Sequence, residues 1–190
     1  MVKINCYIRG KIDGKMTIIH VIGKGESKDF FINDGNVTIG VNNVNKWIRT
    51  DHVVIMDNVK NYPEWHETLL KSGAMFWCNL KENKKYVRNF TLIELSRGRG
   101  VLSDFDTDKF VYSITSPFLA VHLAYKFGAT KIVMWGVDFN THENFNTDKL
   151  RNRALKDFRN LREKLNERGC ELYVGNEISM FSSILPIYNN

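Results

Sequence analysis

His142 stands on a polar stretch four residues beyond Asp138. An imidazole titrates near neutral pH, so a histidine on such a loop is a candidate general base toward a hydroxyl. The residues that could work with it fall in short clusters. Gly23-Lys24-Gly25-Glu26-Ser27 places two glycines and a hydroxyl together. Glycines there would let backbone amides approach a phosphate or ribose closely, and Ser27 could add a hydroxyl. A tight turn explains the same residues equally well, because neither GxGxxG nor GK[ST] is present. Asn42 offers both a donor and an acceptor, which suits a nucleobase or ribose as well as a plain turn. Asp57-Asn58 supplies an acid and an amide that could hold a metal, bind a sugar hydroxyl or cap a loop. Thr115-Ser116 precedes Pro117 and brings two hydroxyls to the start of a helix, where free amides favour an anion. Gly136 and Asp138 close an apolar run in the sequence Gly136-Val137-Asp138-Phe139.

These residues need elements to position them, and the apolar runs supply the elements. Met16 to Ile22, Val37 to Val41, His52 to Met56 and Met75 to Asn79 are short and apolar, and each runs into polar or glycine residues. They read as buried strands, with Phe90 to Leu95 as one more. Glu64 to Lys71, opened by Pro63, reads as a short helix. Ser116 to Phe127 is a second, with Ser116 as its cap, Pro117 in the first turn and Gly128 at its end. Lys131 to Trp135 is a strand. Thr147 to Arg168 is a long helix with Leu150, Ala154, Phe158, Leu161 and Leu165 at helical spacing. Glu171 to Val174 is a last strand, and Ser179 opens a closing helix. Non-alternating apolar strands separated by helices predict an α/β, Rossmann-like fold, mostly parallel, with helices on both faces. Ligands in such sheets sit outside the carboxyl ends of the strands, where every cluster above falls.

With 190 residues and 43% apolar content the chain is expected to form one domain over 1–190 with a substantial core, 61–112 being a lid or an insertion. No apolar run approaches the roughly 20 residues that span a bilayer, and Met1 to Gly10 mixes Lys3, Asn5 and Arg9 among apolar residues. Cys6, Cys78 and Cys170 form neither a disulfide framework nor a metal motif, which suits a cytoplasmic protein. Zincin spacing and a GxSxG elbow are both missing, so metalloprotease and serine-hydrolase chemistry fall away. The other histidines, His20, His52, His66 and His122, fall on strands or helices and read as structural or surface groups.

The order of these clusters resembles the bacterial sialyltransferases of glycosyltransferase family 42. Gly23 to Ser27 is similar to the family's nucleotide loop, with Glu26 replacing a proline. Asn42 matches an asparagine ending the second strand. Ile114-Thr115-Ser116, the helix after it and the strand ending GVDF follow in the family's order, and His142 with Asn146-Thr147-Asp148 resembles the stretch carrying its catalytic histidine. The resemblance implies a Rossmann-like GT-A variant using a CMP- or UDP-type donor. Gly23, Gly25, Ser27, Asn42, Thr115, Ser116, Gly136 and Asp138 would bind the nucleotide, and His142 would act as base. Asp57 stands near a sugar-binding asparagine of the family, with Asn58 beside it. Tyr112 and Arg97-Gly98-Arg99-Gly100 are substitutes for the family's leaving-group helpers. No cofactor is then required, although Asp57 would admit magnesium. The same skeleton resembles the archaeal 6-hydroxymethylpterin diphosphokinase-like proteins, which use ATP and magnesium. A nucleotide-binding module without turnover is a third reading.

The acceptor is a hydroxyl, either of a glycan or of nucleic acid. The formal net charge is +6, with Lys81, Lys84, Lys85 and Arg88 in one cluster and Arg97 with Arg99 in another. The long helix adds Arg151, Arg153, Lys156, Arg159, Arg162, Lys164 and Arg168. Such charge suits a phosphate backbone, or simply a solvated face.

Overall fold

The computed structural model describes residues 16–139 and 147–189, so Cys6 and His142 lie outside the described residues. Seven strands form one sheet: β1 (Ile18–Ile22), β2 (Val37–Val41), β3 (His52–Ile55), β4 (Met75–Cys78), β5 (Asn89–Leu92), β6 (Lys131–Trp135) and β7 (Glu171–Val174). Their order is β5-β4-β3-β2-β1-β6-β7 and every pairing is parallel. The sheet winds outward from β1 in both directions, so all seven carboxyl ends meet one edge. Segment 61–112 contributes β4 and β5 to this sheet. β5 stops at Leu92, short of the expected Leu95, because Leu95 turns away to bridge Phe110.

The two faces are covered differently. Helices α2 (Ser116–Lys126) and α3 (Asp148–Asn166) share one face, packed on Ile19, Val21, Ile39, Val41, Val54, Ile132, Met134 and Leu172. The opposite face carries α1 (His66–Lys71) over Val53, Ile55, Phe76 and Cys78, with short 3₁₀ turns completing the cover. Gly40 is one reason such turns suffice: a side chain there would strike Val44 and Thr50, which lie directly on the strand.

Helix α2 is buried from Pro117 to Ala124, nearly all round, as a helix enclosed between two layers must be. The sheet lies under it, Phe158 of α3 meets Phe118 edge-on, and the loop through Phe105 and Val111 covers its outer side. His122 secures that loop. Its Nδ1 accepts from the Val111 amide at 3.1 Å and its Nε2 lies 2.9 Å from the Phe105 carbonyl. Burial pushes this imidazole down to about 3, so it is neutral. His20 and His52 are structural too. Each accepts the indole N–H of a tryptophan on the neighbouring strand, Trp135 and Trp77 respectively.

Candidate nucleotide and sugar site

The carboxyl edge holds two groups of residues, and they are built differently. The first joins the turns after β1 and β6. Gly23 N donates to the Trp135 carbonyl and Gly25 N to the Gly136 carbonyl, both at 2.7 Å. A side chain at Gly25 would overlap the Asp138 carboxylate, and Gly136 takes a φ of +63° against Gly23. The Ser27 amide donates to Asp138 Oδ2 at 2.8 Å, its hydroxyl donates to Asp138 Oδ1, and it accepts from the Gly136 amide at 2.7 Å. These glycines therefore serve close backbone approach, as expected, but the approach is to each other. Ser27 and Asp138 are brought together in the same way, each side chain hydrogen-bonded to the other.

The second group encloses a cavity of about 340 Å³ at the ends of β3 and β4, against the start of α2. Its wall includes Asp57, Asn79, Arg99, Tyr112, Thr115 and Ser116. Thr115 takes the cap position with extended backbone and Ser116 is the first helical residue, so the cap falls one residue earlier than the sequence predicts. The Thr115 side chain makes no cap hydrogen bond to the first-turn amides. Thr115 is only 5% exposed, and its Oγ1 has no hydrogen-bond partner among the described residues. Unpaired buried oxygens are costly in a native fold, so one on a residue of the cavity wall, beside helix amides, marks a place for a ligand. Asn79 Oδ1 is in the same condition at the end of β4, as is Asn42 Oδ1 at the end of β2. Asn42 has a φ of 57°, a left-handed conformation that asparagine tolerates, and its amide donates to Val54 O at 3.0 Å.

Asp57 and Asn58, adjacent in sequence, separate in the structure. Asp57 lines the cavity, whereas Asn58 caps the next turn, its Oδ1 accepting from Lys60 N at 3.1 Å. Arg99 and Tyr112 belong to the loop after β5, and a residue from the far helix holds that loop. Asp157 of α3, 4% exposed, accepts from Ser113 Oγ and from Arg153 Nε at 3.0 Å, while Arg153 also donates to the Arg99 carbonyl at 3.0 Å. Gly100 sits so close to this carboxylate that a side chain would meet Asp157 Oδ1 at 2.9 Å. Sequence reasoning missed Asn79 and Asp157. A polar residue ending an apolar run was the available sign for Asn79. Arg153 and Asp157, four apart on a polar helix, look like an ordinary surface pair.

Helix α3 ends at Asn166, short of the expected Arg168, and several cations on it and just beyond it are engaged with the fold. Arg162 donates to the Ile184 carbonyl at 2.7 Å and Arg168 pairs with Asp106 and Glu167, beside the Arg153 contacts. Burial pushes the thiols of Cys78 and Cys170 up to about 12, which leaves them unreactive. Among the described residues no cluster of three His, Cys, Asp or Glu is arranged to hold a metal, and no helix is long and apolar enough to cross a membrane.

No family model and no curated protein matches the chain. Solved structures do. The sialyltransferase CstII from Campylobacter jejuni in complex with CMP-3FNeuAc aligns with a TM-score of 0.61 at 16% identity, covering 92% of this chain and 87% of that one. The sialyltransferase CST-II with a trisaccharide acceptor and CMP gives 0.59, also at 16% identity, with the same coverage. The monofunctional alpha-2,3-sialyltransferase Cst-I from Campylobacter jejuni gives 0.58 at 15%, covering 94% and 84%. The chain shares the fold of these sialyltransferases over nearly its whole length. The likeness to pterin diphosphokinases gains no support from these comparisons.

Proposed function

We propose that the protein is a nucleotide-sugar-dependent glycosyltransferase that moves a sugar from a CMP- or UDP-type donor to a hydroxyl acceptor. One observation carries the reading: the uncapped start of α2, with the buried, unpaired Thr115 hydroxyl, opens on a cavity at the strand ends of a sialyltransferase-like fold. Neighbours of that fold have been crystallised with CMP, a CMP-sugar analogue and a trisaccharide acceptor.

In this reading the donor phosphate lies on the first-turn amides of α2, with Thr115, Ser116 and Arg99 around it. Leaving-group charge then develops against the helix terminus, which stabilises it without reorganisation. The nucleoside runs along the sheet edge toward β1. Asn42 accepts from its base or ribose through the unpaired Oδ1, and the locked turns holding Gly23, Gly25, Ser27, Gly136 and Asp138 form the adjoining wall. His142, outside the described residues, takes the proton from the acceptor hydroxyl as that oxygen attacks the anomeric carbon and the nucleotide departs. The acceptor is a glycan hydroxyl.

The direct test is donor turnover. The protein is incubated with CMP- and UDP-linked sugars and an oligosaccharide acceptor, and nucleotide release is followed. Transfer with release of CMP or UDP supports the reading. Tight nucleotide binding with no release or transfer from any donor would make the chain a nucleotide-binding module instead.

A further inference from the structure

The charges of the cavity wall become uneven once a donor phosphate is bound. Arg99 is its one cation and Asp57 its one anion. A donor phosphate at the start of α2 takes up Arg99, leaving Asp57 without a counter-charge in the wall. Asp57 forms no ion pair among the described residues, and its charge is felt nearby: it is the chief cause raising the Tyr62 phenol above its ordinary value. At the ends of β3 and β4 the wall also presents acceptors. A carboxylate accepts only, Asn79 presents a buried Oδ1 with no donor, and Ser113 has already given its hydroxyl proton to Asp157. Against Asp57 and Asn79, a ligand that fits brings donors and no further negative charge.

We infer that the sugar portion of the ligand is neutral and hydroxyl-rich, its hydroxyls donating to Asp57 and Asn79, and that Asp57 excludes a sugar bearing a carboxylate. This rests on the nucleotide-sugar reading above. A sugar acid would set a second carboxylate beside Asp57. A hydroxyl supplies the missing proton at each oxygen. Specificity of this kind comes from rejecting the wrong ligand as much as from holding the right one.

UDP-glucose and UDP-glucuronate differ only by the carboxylate, so their affinities, measured by calorimetry against UDP, isolate the effect. The pair CMP and CMP-3FNeuAc asks the same question with the other base. The wild-type protein should bind UDP-glucose about tenfold or more tightly than UDP-glucuronate, and CMP-3FNeuAc no tighter than CMP. Asp57→Asn should close most of that gap, and Asp57→Ser, which is smaller, provides a second folded variant. Asn79→Ala should weaken UDP-glucose relative to UDP. Equal binding of the two UDP-sugars, tighter binding of CMP-3FNeuAc than of CMP, or a gap that persists in both Asp57 variants would overturn the inference while leaving nucleotide binding intact. Failure of every nucleotide to bind would instead overturn the nucleotide reading, and the sugar inference with it.

Discussion

Ser27 and Asp138 close on each other across the turns after β1 and β6, the serine giving both its amide and its hydroxyl proton to one carboxylate while accepting from the Gly136 amide. A residue pair that the sequence offers as ligand contacts also forms a clasp between the adjacent strands β1 and β6, 111 residues apart in the chain. Ser27→Ala would leave part of a 5%-exposed carboxylate and the Gly136 amide without partners. Such a loss costs roughly 1–3 kcal/mol. Urea unfolding should show this drop, and an unchanged midpoint would mean the clasp adds nothing.

Gly25→Ala tests the same junction sterically. The new methyl would overlap the Asp138 carboxylate and come within 2.9 Å of the Gly136 carbonyl. Overpacking of this kind costs about 1–3 kcal/mol, and here it also pries Asp138 from Ser27. Gly35→Ala is the comparison, because nothing lies within 4 Å of that position and only its φ of +82° opposes the change. The Gly25 variant should melt well below it.

Thr115→Val separates a ligand site from a structural cap. The hydroxyl has no partner among the described residues, so replacing it with a methyl of similar shape should leave thermal stability unchanged or slightly raised. If it holds a phosphate, nucleotide affinity should fall about tenfold, the worth of one good hydrogen bond. Loss of stability with no change in affinity would return Thr115 to a purely structural role.

His122 predicts an acid-side weakness. Its folded value is depressed to about 3 by burial, whereas the unfolded chain binds a proton near 6.5. The group costs nothing above 6.5, and stability is lost as pH falls from there toward 3. By linkage this loss is about 2 kcal/mol between pH 6.5 and 5. Half-buried His52, whose value burial also lowers, acts in the same direction. His122→Gln, which can still donate toward Phe105, should flatten the decline measured by chemical unfolding at several pH values. An equally steep decline would assign the acid sensitivity elsewhere.

His142→Ala should lower turnover about 10²–10⁴-fold while leaving nucleotide affinity in place, as expected for a lost general base. A variant with normal turnover would exclude the role.

Much of the sheet was legible because parallel strands covered on both faces read as unbroken apolar runs, as Ile18–Ile22, Val53–Ile55 and Lys131–Trp135 do. β5 was harder to bound. It is an edge strand with Leu92 half exposed, so no burial signal marks where pairing stops. The site was legible in its helix terminus and in Asp57, since strand ends and helix starts announce themselves in sequence. Ser27 and Asp138 were legible as important but not in their partners, because the pairing crosses the sheet's switch point. Asp157 was hidden by its setting: among the lysines and arginines of α3 nothing distinguishes a buried carboxylate that fixes Ser113 and the Arg99 loop.

The most direct measurement is thermal unfolding of the wild-type and Thr115→Val proteins with CMP, UDP, GDP and ATP, each with and without magnesium. A ligand at about 100 times its dissociation constant adds roughly 2.7 kcal/mol to the native state. Stabilisation by CMP or UDP, independent of magnesium and reduced in Thr115→Val, is the predicted result. Stabilisation confined to ATP with magnesium, or by no nucleotide at all, would contradict a pyrimidine-nucleotide site at the start of α2.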